Sequence, residues 1–137
     1  LIDSAELLVF PPGSFYSSVI ANILPKGVNK AIHKNPAPRV YVPSLGTDLE
    51  TLGMTLFDQI RVLDRYLSSR ATNGRPKKSG IDFLLFDSRL LEISNSQVES
   101  IQDDLGIQII DVDLAKEDED LNRYDDLKLA EALLALT

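Results

Sequence analysis

Residues 11–18, PPGSFYSS, place one glycine, three serines and two aromatic rings directly behind the apolar run LLVF. That mixture suits contact with an anion. Gly13 lets the backbone approach a ligand closely or take a positive φ. Ser14, Ser17 and Ser18 would set hydroxyls beside the free N–H groups of a helix N-terminus, where those groups and the helix dipole favour negative charge. The loop has no lysine, so it is not a P-loop. The same residues also read as a turn with an N-capping serine, and the local sequence supports both readings. Tyr16 and Phe15 could flank a flat ring, or one of them belongs to the core.

A second cluster lies in SLGTDLETLG, residues 44–53, with Ser44, Gly46, Thr47, Asp48, Glu50 and Thr51. Asp48 and Glu50 could take a metal through water or accept hydrogen bonds from ribose or amide groups. Alternatively Thr51 or Thr55 caps the next helix, and the acids sit near its N-terminus for the sake of the dipole. Asp87 and Arg89 follow a third apolar run, as a site pair or a surface ion pair. The sole histidine, His33, falls late in a broken helical stretch. That leaves no Ser-His-Asp set.

These residues need a scaffold, and the chain has the length for one. Its 137 residues suit a single domain, with no disulfide or structural metal required. It contains no cysteine, which removes thiol nucleophiles, Cys-ligated zinc and iron–sulfur clusters, and fits a cytoplasmic location. A formal charge of −7 argues against nucleic acid as a partner. No apolar run approaches the roughly 20 residues that span a bilayer, and the opening LIDSAE has no basic leader region.

Four short apolar runs read as strands buried on both faces of a parallel sheet: 6–10, 39–43, 81–86 and 107–112. Helical patterns lie between them. Residues 14–24 form one, broken at Pro25 and Gly27, and residues 28–34 a second. Residues 55–69 carry the stripe Leu56, Ile60, Leu63 and Leu67. Residues 95–106 read as a helix capped by Asn95 or Ser96 and ended by Gly106. The last helix spans 124–137, with Leu127, Ala130, Leu133 and Leu134 facing the sheet. Two charged stretches, basic 70–80 and acidic 115–126, read as solvated loops. Strand and helix alternate, which predicts an α/β, doubly wound (Rossmann-like), mostly parallel sheet over 1–137. In such sheets ligands bind beyond the carboxyl ends of the strands. The loops at 11–18 and 44–53 both emerge there.

Residues 3–32, DSAELLVFPPGSFYSSVIANILPKGVNKAI, resemble the 2-phospho-L-lactate transferase (CofD) family and its YvcK-like relatives. That family carries a Gly-Pro-Gly-Ser-Leu-Tyr-Thr-Ser-type loop, a hydrophobic-x-Asn-Leu-Leu segment, a break and a short helix opened by glycine. Pro12, Gly13, Ser14, Phe15, Tyr16, Ser17, Ser18, Asn22, Ile23, Leu24 and Gly27 stand at those places. RVYVPSLGTDLET at 39–51 and KLAEALLAL at 128–136 continue the likeness. Pro11 and Leu49 stand where relatives often have glycine, and the second loop lacks their Gln-Pro. The style is nearest a divergent bacterial branch.

The resemblance implies the C-terminal half of a larger domain, in keeping with a sequence that opens at Leu1 as if part-way through a protein. It implies transfer of a phospholactyl- or phosphoenolpyruvyl-type group from a nucleotide-diphosphate donor to an alcohol. The alternative is a non-catalytic nucleotide or nucleotide-sugar binder of the YvcK type. Gly13 and Ser14 would hold phosphate oxygens, Ser17 and Ser18 would assist, and Tyr16 would flank a ring. Glu50 and Thr51 would help place the acceptor or a metal-bound water, and Thr47 and Asp48 count with them among the substrate-binding residues. Mg2+ would be held mostly by residues outside this chain. The chain would pack against the missing half or against a second copy, with no membrane partner.

Overall fold

Each of the four apolar runs becomes a strand, and the four pair in parallel in the order β1 (Leu8–Phe10), β2 (Arg39–Tyr41), β3 (Phe83–Phe86) and β4 (Gln108–Asp111). The structure, a computed structural model, describes residues 1–67, 79–117 and 123–137. The register sets Phe10 beside Tyr41 and Tyr41 beside Leu84. The carboxyl ends of the strands therefore line up along one edge.

Side chains alternate between the two faces of a strand, and the core divides accordingly. Phe10, Tyr41, Leu84 and Phe86 face the helices that connect the strands. Val40, Val42 and Leu85 face the other way, towards Leu114, Tyr124 and the C-terminal helix. All the connecting helices lie on the first face, as right-handed crossovers in a sheet of sequential strand order require.

The first connection matches the predicted break. Phe15–Ile20 forms a wide π-type turn that runs into α1 (Ala21–Ile23). Gly27 then takes φ 94°, and α2 (Val28–Lys34) follows. The second is α3 (Leu56–Leu67), whose predicted stripe of Leu56, Ile60, Leu63 and Leu67 is buried. Thr55 starts it with a capping box: its N–H donates to Asp58 Oδ2 at 2.9 Å, and the Asp58 N–H donates to Thr55 Oγ1 at 3.1 Å. The third is α4 (Asn95–Glu99), widening over Ser100–Asp104 and ended by Gly106 at φ 66°. Its cap is Ser94, one residue before the predicted Asn95 or Ser96.

The C-terminal helix, α5 (Asp126–Leu134), is capped by Asp125, which accepts from the N–H groups of Leu127 and Lys128. Its register differs from the predicted one. Leu129, Ala132, Leu133 and Leu136 pack on the sheet, while Leu127 and Leu134 are 68% and 69% exposed. The helix is apolar over much of its circumference, so two stripes compete, and the surface offered by Leu85, Leu114 and Tyr124 selects between them. Most of the basic stretch 70–80 and the centre of the acidic stretch 115–126 lie outside the described residues.

Gly80 marks a close approach between β3 and α3. A Cβ there would lie 2.4 Å from Leu67 Cβ and 3.2 Å from its carbonyl carbon. Gly80→Ala is therefore expected to lower stability by about 1–3 kcal/mol, read as a lower urea midpoint with an unchanged slope.

Candidate functional site

The loops after β1 and β2 leave adjacent strands at the same edge, and polar bonds tie them together. Ser44 Oγ accepts from the Gly13 N–H at 2.7 Å and donates to the Gly13 carbonyl at 2.8 Å. Asp48 Oδ2 accepts from the Phe15 N–H at 2.9 Å. Glu50 Oε2 accepts from the N–H groups of Tyr16 at 2.8 Å and Ser17 at 3.1 Å. Asp48 also caps the turn at Leu49–Thr51 through the Glu50 N–H, at 2.9 Å.

These bonds change what the first loop offers a ligand. The sequence reading leaves the N–H groups of the helix start free, whereas Phe15, Tyr16 and Ser17 donate theirs to the chain's own carboxylates. Asp48 and Glu50 sit there because an exposed helix start favours anions, and a carboxylate within reach serves as well as a phosphate. The Glu50 carboxyl is held below its usual range, first by the Ser17 hydroxyl and then by the Ser17 and Tyr16 N–H groups. It stays ionised near neutral pH and is poorly suited to act as a general base.

Of the predicted residues, Gly13, Ser14, Thr47, Asp48 and Glu50 line one shallow open depression between the loops, together with Ser44. Thr51 lies behind it and donates from Oγ1 to the Asp48 carbonyl at 3.2 Å. Tyr16 is 40% exposed and stands edge-on to Phe15, which is buried at 2% exposure, with ring centres 5.0 Å apart. Ser18 faces elsewhere, lining an apolar groove beside β1 with Val19 and Asn22.

The depression opens into a deeper cleft of about 370 Å³, walled by Tyr41, Asp48, Thr55, Gln59, Glu92 and Gln97, among others. Among the described residues its lining includes the carboxylates of Asp48 and Glu92 but no lysine, arginine or histidine. Burial is the main cause holding the Tyr41 phenol far above its usual range, and its hydroxyl points at Gln59 Oε1, 3.4 Å away. Sequence reasoning missed Tyr41, Gln59, Glu92 and Gln97. They come from β2, α3, the β3–α4 segment and α4 itself, and no local motif links them.

Asp87 and Arg89 form a structural pair. Asp87, at 1% exposure, accepts from Arg89 Nε at 3.0 Å, from Arg89 Nη2 at 2.6 Å and from the Leu114 N–H at 2.8 Å. Arg89 also pairs with Asp113, which Lys128 of α5 meets at 3.0 Å. The network fastens the segment after β4, and through it α5, to the end of β3. His33 lies in α2, away from this edge.

No group of three His, Cys, Asp or Glu residues is placed to hold a metal among the described residues. Asp48 directs both of its carboxylate oxygens, and Glu50 one, to backbone N–H groups. No helix among the described residues is long and apolar enough to cross a membrane.

A four-stranded parallel sheet with helices on both faces defines a Rossmann-like α/β domain. Comparison with known proteins places it further. The model of the 2-phospho-L-lactate transferase CofD family matches residues 1–125, and the chain belongs to that family. A provisionally named gluconeogenesis factor of Thermotoga maritima is 31% identical over 96% of this chain and 44% of its own length. The gluconeogenesis factor of Listeria monocytogenes is 27% identical over 98% of the chain and 42% of its own length. The crystal structure of a UPF0052 family protein from Bacillus halodurans superposes with a TM-score of 0.72 at 25% identity, over 97% of this chain and 44% of that one. The chain thus spans less than half the length of these relatives.

Proposed function

We propose that this chain supplies the ligand-holding half of a CofD-like domain that binds a nucleotide-diphosphate-linked small molecule. The observation that carries this reading is the junction of the 13–18 and 44–51 loops at the carboxyl ends of β1 and β2, with Gly13, Ser14, Ser44 and Thr47 around one opening. Phosphate oxygens would sit at Gly13 and Ser14. Their charge would be balanced by cations from outside this chain, because the opening itself carries carboxylates.

In the full domain the first reading is transfer of a phospholactyl- or phosphoenolpyruvyl-type group from the nucleotide to an alcohol. The oxygen of the alcohol would attack the phosphorus and give up its proton to solvent, and the nucleoside monophosphate would leave without a covalent intermediate, its charge balanced by cations from outside this chain. The family model supports this reading. The second reading is a nucleotide or nucleotide-sugar binder that regulates metabolism. Two observations favour it: the gluconeogenesis-factor names of the relatives, and a site whose acids are engaged by backbone N–H groups.

The test uses full-length protein. Turnover of a guanylylated phospholactate or phosphoenolpyruvate donor would support the first reading, and nucleotide-sugar binding without turnover the second. Under both, Gly13→Val combined with Ser14→Ala is expected to weaken nucleotide-diphosphate binding about 100-fold, as a Cβ at Gly13 would lie 3.3 Å from Ser18 Cβ and the Ser14 hydroxyl is lost as a donor. Unchanged binding would remove Gly13 and Ser14 from the site.

A further inference from the structure

The Tyr124 hydroxyl reaches a peptide on which the opening at Gly13 depends. It donates to the Pro43 carbonyl at 2.7 Å, across 81 positions of sequence. Pro43 directly precedes Ser44, whose Oγ holds Gly13 through both its N–H and its carbonyl. The proline ring locks φ at Pro43. What remains free there is ψ, the rotation that turns the 43–44 peptide and sets the direction in which Ser44 leaves the chain. A hydrogen bond to the Pro43 carbonyl fixes that rotation. One residue earlier, the Val42 N–H is anchored to the Phe10 carbonyl at 3.0 Å. Tyr124 acts just past that anchor, where the chain turns into the loop.

Tyr124 is itself firmly placed. It is 7% exposed, and it pairs with Ala115 in an isolated antiparallel bridge. The next residue, Asp125, donates its N–H to the Leu114 carbonyl at 2.8 Å and caps α5. A buried ring held between a bridge and a helix cap presents its hydroxyl in one place, as the support of a site requires.

We infer that Tyr124 is a positioning residue for the opening at Gly13: through the Pro43 carbonyl it sets Ser44, and Ser44 aims the Gly13 backbone. The inference rests on the proposed phosphate-bearing ligand. It makes the segment after β4, at one end of the sheet, a determinant of affinity at the loop after β1, at the other.

The test uses full-length protein carrying Tyr124→Phe, which keeps the ring and loses the hydroxyl. Amide hydrogen exchange at Gly13, followed by NMR without ligand, is expected to speed up about tenfold more than at Val42, the internal gauge of global opening. Calorimetry with inorganic pyrophosphate is expected to show binding about fivefold weaker, because the ligand must now order the loop. In a Ser44→Ala background Tyr124→Phe is expected to add no further loss, since Ser44 is the link it acts through. Should the phenylalanine protein not fold, 4-aminophenylalanine at position 124 supplies a weaker donor at the same place, and Gly13 exchange faster than wild type is again the expected result. Gly13 exchange that only tracks Val42, unchanged pyrophosphate affinity, or an equal loss of affinity in both backgrounds would overturn the inference and leave the phosphate opening standing. Wild-type protein that binds no pyrophosphate would instead remove the phosphate opening, and Gly13 exchange would then decide the role of Tyr124.

Discussion

Asp87→Ala is expected to destabilise the protein by about 3 kcal/mol, the largest loss among single changes near the carboxyl edge. Asp87 is almost wholly buried, and three groups depend on it: the Arg89 guanidinium, the Arg89 N–H and the Leu114 N–H. Alanine would leave the Leu114 amide without an acceptor in a buried setting, which costs about 1–3 kcal/mol, and would also remove charge-assisted bonds from Arg89. Arg89 is 58% exposed on its side chain and can return to water, so the cost stays below that of a stranded buried charge. Urea unfolding of wild type and variant measures the difference.

The same residue gives a pH dependence with a defined sign. The Arg89 guanidinium is the chief cause holding the Asp87 carboxyl well below the usual carboxylate range, helped by the Leu114 and Arg89 N–H groups. A carboxyl depressed in the folded state adds stability that is fully present above its unfolded pKa of about 3.9. That contribution is lost as pH falls from there through the folded value. Wild-type stability should therefore decline below about pH 4, and Asp87→Asn should flatten that decline. An equally steep decline in Asp87→Asn would assign acid sensitivity to other carboxylates.

Asp48→Ala is expected to weaken nucleotide-diphosphate binding by at least tenfold and to cost about 2 kcal/mol of stability. Its carboxylate spans the two loops, with one oxygen on the Phe15 N–H and the other on the Glu50 N–H. Phe15 is buried, so losing the acceptor for its N–H costs more than losing an exposed bond. The turn at Leu49–Thr51 loses its cap as well, typically worth about 1 kcal/mol. Without that brace the two loops are joined only by the Ser44–Gly13 and Glu50 bonds, and binding must supply more of the ordering. Calorimetry on the full-length protein decides the sign. Tighter binding by Asp48→Ala would show that the carboxylate competes with the ligand for the Phe15 N–H.

Much of the scaffold was legible in the sequence because local chemistry dictates it. Pro25 lacks an N–H and Gly27 tolerates positive φ, so the helix after β1 had to break there, and α2 begins where expected. The stripe on α3 was legible because its polar residues leave one apolar face. On α5 leucine and alanine cover more than one face, so periodicity alone could not choose between them. Thr51 looked as good a cap as Thr55, and only the reciprocal bonds between Thr55 and Asp58 distinguish them.

By itself the sequence determined the four strand segments, the break at Pro25 and Gly27, and the family likeness of the loop at Gly13. Those features depend on side-chain shape, backbone freedom and residue order within short windows. Tertiary structure alone decided that Asp48 and Glu50 would take the N–H groups of Phe15, Tyr16 and Ser17, about 33 positions away along the chain. It also decided that Gln59 and Gln97 would wall one cleft, and that Asp87 would be a buried brace. Parallel pairing brings strand ends together only through long crossovers, so the partners at that edge are set by the sheet and not by neighbours in sequence.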